Sequence, residues 1–361
     1  MRRGIPRLAA LLGAVALVLT AVPAAALSPF GSPVEIYEPD CRAFGFDADG
    51  VMGSDGILRG FTSAAGDDCA QYPVIRYFEQ DGSSVTNLST PYRGRVIAAT
   101  ADTTGQYLVY TNRSGLHLAK RSGGSFTSGR RLSKAQTIQG DIIANGGDWW
   151  AVWTEASGKG ALRLTHARTM GTDVLYQRLS LSGPGVNVVD WFPSLALRSG
   201  NRAVMVWSRY TPNRWSIWVA TTEADGNWRA RPFGPTAMSR TGFPLFPSVA
   251  VSGPATYVAW QDDETIMVSD NASRSWKSRS FVTPGVLPKV ATSAGKVFVG
   301  WTTTRTSAPR AFITQRVGST WSGNFVSPPT PHAQVTMGVY ADDGDATSLI
   351  RSPVRLYSRS Q

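Results

Sequence analysis

The stretch Phe246-Pro247-Ser248-Val249-Ala250, Tyr257-Val258-Ala259-Trp260, Ile266-Met267-Val268 and Ser269-Asp270-Asn271-Ala272-Ser273-Arg274-Ser275-Trp276 decides how the chain reads. It holds three short apolar runs and a compact turn that leads into a fourth. Gly253 and the polar patch Gln261-Asp262-Asp263-Glu264 separate the first three. Runs of this length, bounded by glycine and polar residues, are strands joined by hairpins.

The same order recurs on both sides. The aromatic that ends the second run marks each copy: Phe61, Tyr110, Trp153, Trp207, Trp260 and Trp301, at intervals of about 41–54 residues. The first run also repeats. Phe192-Pro193-Ser194-Leu195-Ala196 matches Phe246-Pro247-Ser248-Val249-Ala250, and Leu287-Pro288-Lys289-Val290-Ala291 is close to both. Proline is tolerated at a strand start, where its missing N–H is not needed by the ladder. A unit of four short strands at this period predicts an all-β propeller. A β-sandwich or a pair of smaller β domains is the alternative, and repeated copies of one four-run pattern argue against both.

Six units are visible from about Phe44 to Thr330. The tail adds Val335–Tyr340, Thr347–Ile350 and Val354–Tyr357, three strands without a fourth, while Val34-Glu35-Ile36-Tyr37 is a strand without a unit. Pairing the two would complete a seventh blade from both chain ends and hide exposed strand edges. Seven four-stranded blades are expected, with six as the alternative.

Ser269-x-Asn271-x-Ser273-x-Ser275-Trp276 resembles the Asp-box, or bacterial neuraminidase repeat, Ser-x-Asp-x-Gly-x-Thr-Trp, with Asn for Asp and Ser for Gly. The turns Asp225–Trp228 and Gly318–Trp321 match only its end. On these residues the chain is similar to the sialidase-like propeller superfamily. The resemblance implies a structural turn between strands three and four, away from the catalytic face. It also implies the catalytic set of that family: three arginines, a Tyr nucleophile with a Glu behind it, and an Asp. The Arg-Ile-Pro start motif is absent after the leader, so no catalytic residue is carried over.

Met1-Arg2-Arg3, an apolar run from Leu8 to Val22 and Ala24-Ala25-Ala26 read as a secretory signal peptide over residues 1–26, too short to span a bilayer. Residues 27–361 are then expected to form one domain with no transmembrane segment. Cys41 and Cys69 are the only cysteines, and in an oxidising compartment they predict one disulfide. Closing a loop of about 28 residues would contribute about 3 kcal/mol. The alanine-rich leader looks bacterial.

The formal net charge is +11, yet the cations are scattered and no nucleic-acid motif accompanies them, so no nucleic-acid partner is expected. His117, His166 and His332 lack metal-ligand spacing, and neither a Gly-x-Ser-x-Gly elbow nor a phosphate loop occurs, so no metal or cofactor is expected.

In a propeller, the loops between strands two and three and those between blades share the ligand face. The repeat places Glu155, Asp190, Trp191, Arg209, Tyr210, Arg214, Asp262, Asp263 and Glu264 there, as the candidate ligand-binding residues. Arginines can grip carboxylate or sulfate at two points, and aromatics can stack on sugar faces. Taken singly, each can also be an ordinary solvated loop residue, and Trp191 a packing residue. Two functions stand. The first is a secreted, monomeric propeller that binds an extracellular carbohydrate, cell-wall polymer or protein. The second is a divergent sialidase-like glycoside hydrolase or polysaccharide lyase. The first is preferred, because the repeat is kept while the catalytic motif is not.

Overall fold

The computed structural model describes residues 34–37, 45–65, 72–137, 139–156, 162–170, 173–178, 188–212, 214–222, 228–232, 244–272, 275–281, 284–304, 309–318, 320–325, 335–342, 345–351 and 356–360. The leader, Cys41 and Cys69 lie outside them. Among the described residues no helix is long and apolar enough to cross a membrane.

The elements are strands throughout. β1 (Val34–Tyr37) comes first. β2 (Gly45–Met52), β3 (Leu58–Ala65), β4 (Val74–Asp81) and β5 (Ser84–Arg93) follow as one antiparallel sheet. β6 (Arg95–Asp102), β7 (Gly105–Asn112), β8 (Gly115–Ser122), β9 (Ser125–Phe126) and β10 (Arg130–Ser133) form the next. β11 (Gly140–Asn145), β12 (Asp148–Ala156), β13 (Leu162–Met170) and β14 (Asp173–Arg178) follow. These strands join β15 (Val189–Arg198), β16 (Arg202–Thr211), β17 (Arg214–Thr222) and β18 (Trp228–Pro232) in one larger sheet. Among the described residues the two halves are linked by the single parallel pair Leu162 and Val189.

β19 (Pro244–Ser252), β20 (Ala255–Asp262), β21 (Thr265–Asp270) and β22 (Lys277–Ser280) make the sheet that contains the opening stretch. β23 (Gly285–Ser293), β24 (Lys296–Thr303), β25 (Ala311–Val317) and β26 (Thr320–Phe325) follow. The last sheet is β27 (Val335–Asp342), β28 (Asp345–Arg351), β29 (Leu356–Ser360) and then β1, so the two chain ends meet in it.

The first strands carry the arrangement. β2, β6, β11, β15, β19, β23 and β27 each touch the next in chain order, and β27 touches β2. The hydrophobic core lies between consecutive sheets. One cluster packs Phe61 and Tyr77 against Val96 and Leu108, another packs Val204 and Val206 against Val249 and Val258, and another packs Ile36 against Leu58 and Phe78. The marker aromatics sit in these seams, with Trp153, Trp207 and Trp301 fully buried. Each large apolar side chain so buried contributes roughly 2–3 kcal/mol.

A second repeated device lies in the first strands. Phe192, Phe246 and Leu287, each followed by proline, have φ of 51°, 50° and 57°. Their ladders skip there, so that Phe192-Pro193, Phe246-Pro247 and Leu287-Pro288 stand opposite Trp207, Trp260 and Trp301. Two residues against one is a β-bulge, which re-aims side chains. A bulky residue at positive φ is strained. The same strain recurs in three units, each time beside a buried tryptophan.

The Asp-box-like turn lies between β21 and β22, at the end of β21 away from the Asp262–Thr265 hairpin. Asn271 Oδ1 accepts the Thr256 N–H at 2.8 Å, and Ser269 Oγ donates to the Lys277 carbonyl at 2.8 Å. The turn fastens the strands to one another.

Candidate functional site

The first strands enclose a central cavity of about 510 Å³. Asp47 and Asp49 of β2, Gln139 just before β11, Asp141 of β11, Ser194, Ser248, Lys289 and Tyr340 supply its polar lining. The bulged residues Phe192, Phe246 and Leu287 supply apolar lining, with Ile97 from β6.

Each first strand has an inner edge whose N–H groups lack a ladder partner, and a buried unpaired N–H is costly. The neighbouring strand's side chains satisfy several of them. Asp49 Oδ2 accepts Ala99 N at 2.8 Å, and Asp141 Oδ2 accepts Leu195 N at 2.6 Å. Ser194 Oγ accepts Val249 N at 3.4 Å, and Ser248 Oγ accepts Val290 N at 3.1 Å. Asp49 Oδ1 also receives Gly50 N and the Tyr340 hydroxyl, at 2.9 and 3.1 Å. Asp141 Oδ1 receives Ile142 N at 2.8 Å. Apart from the two local bonds to Gly50 N and Ile142 N, these bonds run from one first strand to another around the cavity.

Enclosure shapes the titration of the two carboxyls. Burial raises Asp49 above the ordinary carboxylate range, against the pull of Lys289 and the N–H bonds. Burial first, and then the Asp49 charge, pushes Asp141 up to about 7. Tyr340 is raised well above a normal phenol by burial and by Asp49. Both residues line the cavity, and their carboxyls are enclosed by the first strands.

The nine residues read from the repeat fall into separate groups. Asp190 and Arg209 oppose each other on β15 and β16 and are 0% and 2% exposed. Arg209 Nε donates to Asp190 Oδ1 at 2.6 Å and Nη2 to Oδ2 at 3.1 Å, while Trp207 Nε1 donates to Oδ1 at 3.0 Å. The guanidinium lies over the Trp207 and Trp218 rings, 5.2 and 4.3 Å from their centroids. Glu155 is half-buried and accepts Trp153 Nε1 at 2.7 Å and the Ser133 hydroxyl, which ties it to β10. Asp262, Asp263 and Glu264 form the β20–β21 hairpin, with Asp263 at φ 52°. Burial and the neighbouring Asp263 raise Asp262. The Glu264 carbonyl accepts Gly285 N at 2.8 Å, which joins this hairpin to the next sheet.

Trp191, Tyr210 and Arg214 lie at the end of β15 and the β16–β17 hairpin, and the structure adds neighbours to them. Tyr210 meets Trp215 at 5.2 Å between centroids, Trp215 meets Trp191 at 5.4 Å, and Trp191 meets Phe192 at 5.8 Å. Phe192 then meets Phe246 at 4.2 Å. All five rings are half-buried. They make one aromatic series from an exposed hairpin, where Arg214 is exposed, to the wall of the central cavity. Trp191 Nε1 is buried with no hydrogen-bond partner among the described residues.

Sequence reasoning misses Trp215, Phe192 and Phe246 in this series, and Asp49, Asp141, Lys289 and Tyr340 in the cavity. A signal for the Asp190–Arg209 pair is present. Glu155, Arg209 and Asp262 each stand two residues after a marker tryptophan, so a strand puts them on the same side as that buried ring.

No family model matches the chain, and no curated protein matches it. Several solved structures share its fold. A polysaccharide lyase superposes with a TM-score of 0.58 at 10% identity, covering 91% of this chain and 92% of that one. An α-L-arabinanase of Penicillium chrysogenum, complexed with arabinobiose, gives 0.54 at 10% identity, covering 92% and 98%. The phage phi92 endosialidase gives 0.52 at 10% identity, covering 91% and 68%. These are propeller enzymes related to the sialidase-like superfamily, and at such identity the likeness concerns the fold alone.

Proposed function

We propose that residues 27–361 form one monomeric propeller of seven four-stranded blades, exported by the leader over residues 1–26, which binds a carbohydrate chain on its loop face. The observation that carries this reading is the aromatic series Tyr210–Trp215–Trp191–Phe192–Phe246. Half-buried rings present apolar faces at low entropic cost, and sugar rings carry matching C–H faces. The series ends in a cavity with an apolar wall and a few convergent polar groups, as ligand sites usually have. Exposed Arg214 and the Asp262–Glu264 hairpin supply polar contacts. The carbohydrate chemistry of the similarly folded enzymes agrees with it.

Glycoside cleavage is the second reading, and one observation favours it: of the three carboxyls that line the cavity, Asp49 and Asp141 are raised by burial, Asp141 to about 7. Both carboxyls already accept backbone N–H groups of adjacent strands, so a structural use accounts for them. Binding is therefore the preferred function.

The test is calorimetry with neutral oligosaccharides such as arabinan fragments, beside a turnover screen on chromogenic glycosides and anionic polysaccharides. Trp215→Ala is expected to weaken binding about tenfold or more, with an unchanged melting temperature. Saturable binding that ignores Trp215→Ala would refute the aromatic reading. Turnover abolished by Asp141→Asn would replace binding with catalysis.

A further inference from the structure

We propose that the corner of the loop face formed by Arg93, Arg113, Arg131 and Lys134 binds a polysaccharide carrying carboxylate or sulfate groups. The proposal rests on the glycan reading of that face and adds the class of polymer. Between Asp102 and Asp141 the chain has no acidic residue, while Arg113, Lys120, Arg121, Arg130, Arg131 and Lys134 are cationic. Two of these are engaged away from the corner. Lys120 Nζ donates to Thr104 Oγ1 at 2.8 Å, and Arg121 pairs with Glu79 at 3.4 Å.

Arg113, in the β7–β8 hairpin, Arg131 of β10, Lys134 just after it and Arg93 at the end of β5 are exposed, and none forms an ion pair among the described residues. Of the two neighbouring acids, one is ion-paired and the other is bonded by neutral donors. Asp47 is held by Arg95 at 2.6 and 2.9 Å, and Glu155 by Trp153 and Ser133.

The corner is also stiff. The Arg93 carbonyl accepts Asn112 Nδ2 at 3.4 Å, and the Arg113 carbonyl accepts Gln136 Nε2 at 3.3 Å. Arg131 stands opposite His117 in the ladder. The His117 ring stacks on Tyr110 at 5.2 Å, and Tyr110 on Tyr92 at 5.3 Å. His117 Nε2 and Ser114 Oγ are 2.7 Å apart. Burial and then Arg131 lower the imidazole's affinity for a proton. The four cations thus stand on anchored backbone about the β7–β8 hairpin, with Arg131 beside the imidazole. Guanidinium groups match carboxylate and sulfate at two points. Several exposed cations on one corner favour a polyanion, whose own counter-ions are released on binding.

The experiment measures binding of the full chain to polygalacturonate and to heparin over a range of salt. Affinity is expected to fall steeply with salt. The triple variant Arg113→Ala/Arg131→Ala/Lys134→Ala is expected to bind at least tenfold more weakly at low salt, with the slope of log K against log salt reduced by up to about three. Arg113→Lys/Arg131→Lys should keep the salt slope, which controls for folding, and Lys277→Ala/Arg279→Ala on β22 should change nothing. Unchanged affinity in the triple variant would overturn the proposal, as would equal binding of duplex DNA with the same slope. Trp215→Ala separates the two readings. Polyanion capture that survives it but is lost in the triple variant supports the corner even if the aromatic series binds nothing. Polyanion capture lost only in Trp215→Ala overturns it.

Discussion

Replacing Arg209 by methionine tests the buried pair that underlies the aromatic series. In the folded chain Asp190 receives two guanidinium N–H groups and one indole N–H, with no solvent contact. Methionine keeps most of the aliphatic volume and the packing against Trp207 and Trp218, but it leaves a fully buried carboxylate with its indole donor. Removing one partner of a buried pair costs about 3–5 kcal/mol. A whole domain has about 5–15 kcal/mol, so the variant should unfold at markedly lower denaturant. Adding Asp190→Val removes the stranded charge, and the double variant should recover about 2–3 kcal/mol of the loss as coupling. Urea unfolding followed by circular dichroism and tryptophan fluorescence measures all corners of the cycle. Val189 pairs with Tyr210 and Trp191 with Ser208 on either side of the ion pair. Tryptophan emission from the series should therefore shift in Arg209→Met before global unfolding. A single-variant cost below about 1 kcal/mol, with additive effects in the double, would refute the idea that the pair holds these strands in register.

Three further outcomes follow from the geometry. Asp141, raised to about 7 in the folded chain from an ordinary 3.8, is protonated more readily when folded, so its contribution to stability falls as pH rises from about 4 to 7. Asp141→Asn should abolish that slope, and the melting temperature of the variant should gain on the parent between about pH 5 and 8; a difference flat in pH would contradict this. Ala294 holds φ at 47° in the hairpin ahead of Gly295, a place suited to asparagine, so Ala294→Asn should add about 0.5–1 kcal/mol in denaturant unfolding. A Cβ on Gly285 would lie 2.0 Å from Trp301 Cδ1, and Gly285→Ala should cost about 1–3 kcal/mol by displacing a fully buried ring; an unchanged melting temperature would show that the ring can move freely.

The strand units around the marker aromatics are legible in the sequence, because hairpin turns and short apolar runs are local. Gly146-Gly147 and Gly200-Asn201 take the positive φ values that tight hairpins need. The union of Val34–Tyr37 with the tail is legible too, since a unit short of one strand needs a partner. The candidate site is less so. Asp190 and Arg209 read as ligand contacts because their place at a strand end is clear from the repeat while their burial is not. Trp215 reads as an ordinary hairpin residue, since nothing near it in sequence is Trp191.

What the sequence by itself determined is the unit: four short strands, a buried aromatic, a proline-marked first strand and a polar hairpin on one end. Those features depend on alternation, φ preference and turn chemistry within about ten residues. What only the tertiary structure decided is what the units share. Phe192 and Phe246 belong to different sheets, yet their rings meet at 4.2 Å because each precedes a proline in a bulge that turns it toward the cavity. Asp49 and Asp141 face one cavity because each caps an N–H of the next first strand. Such contacts depend on how separate sheets are arranged about a common cavity, and no local pattern encodes that.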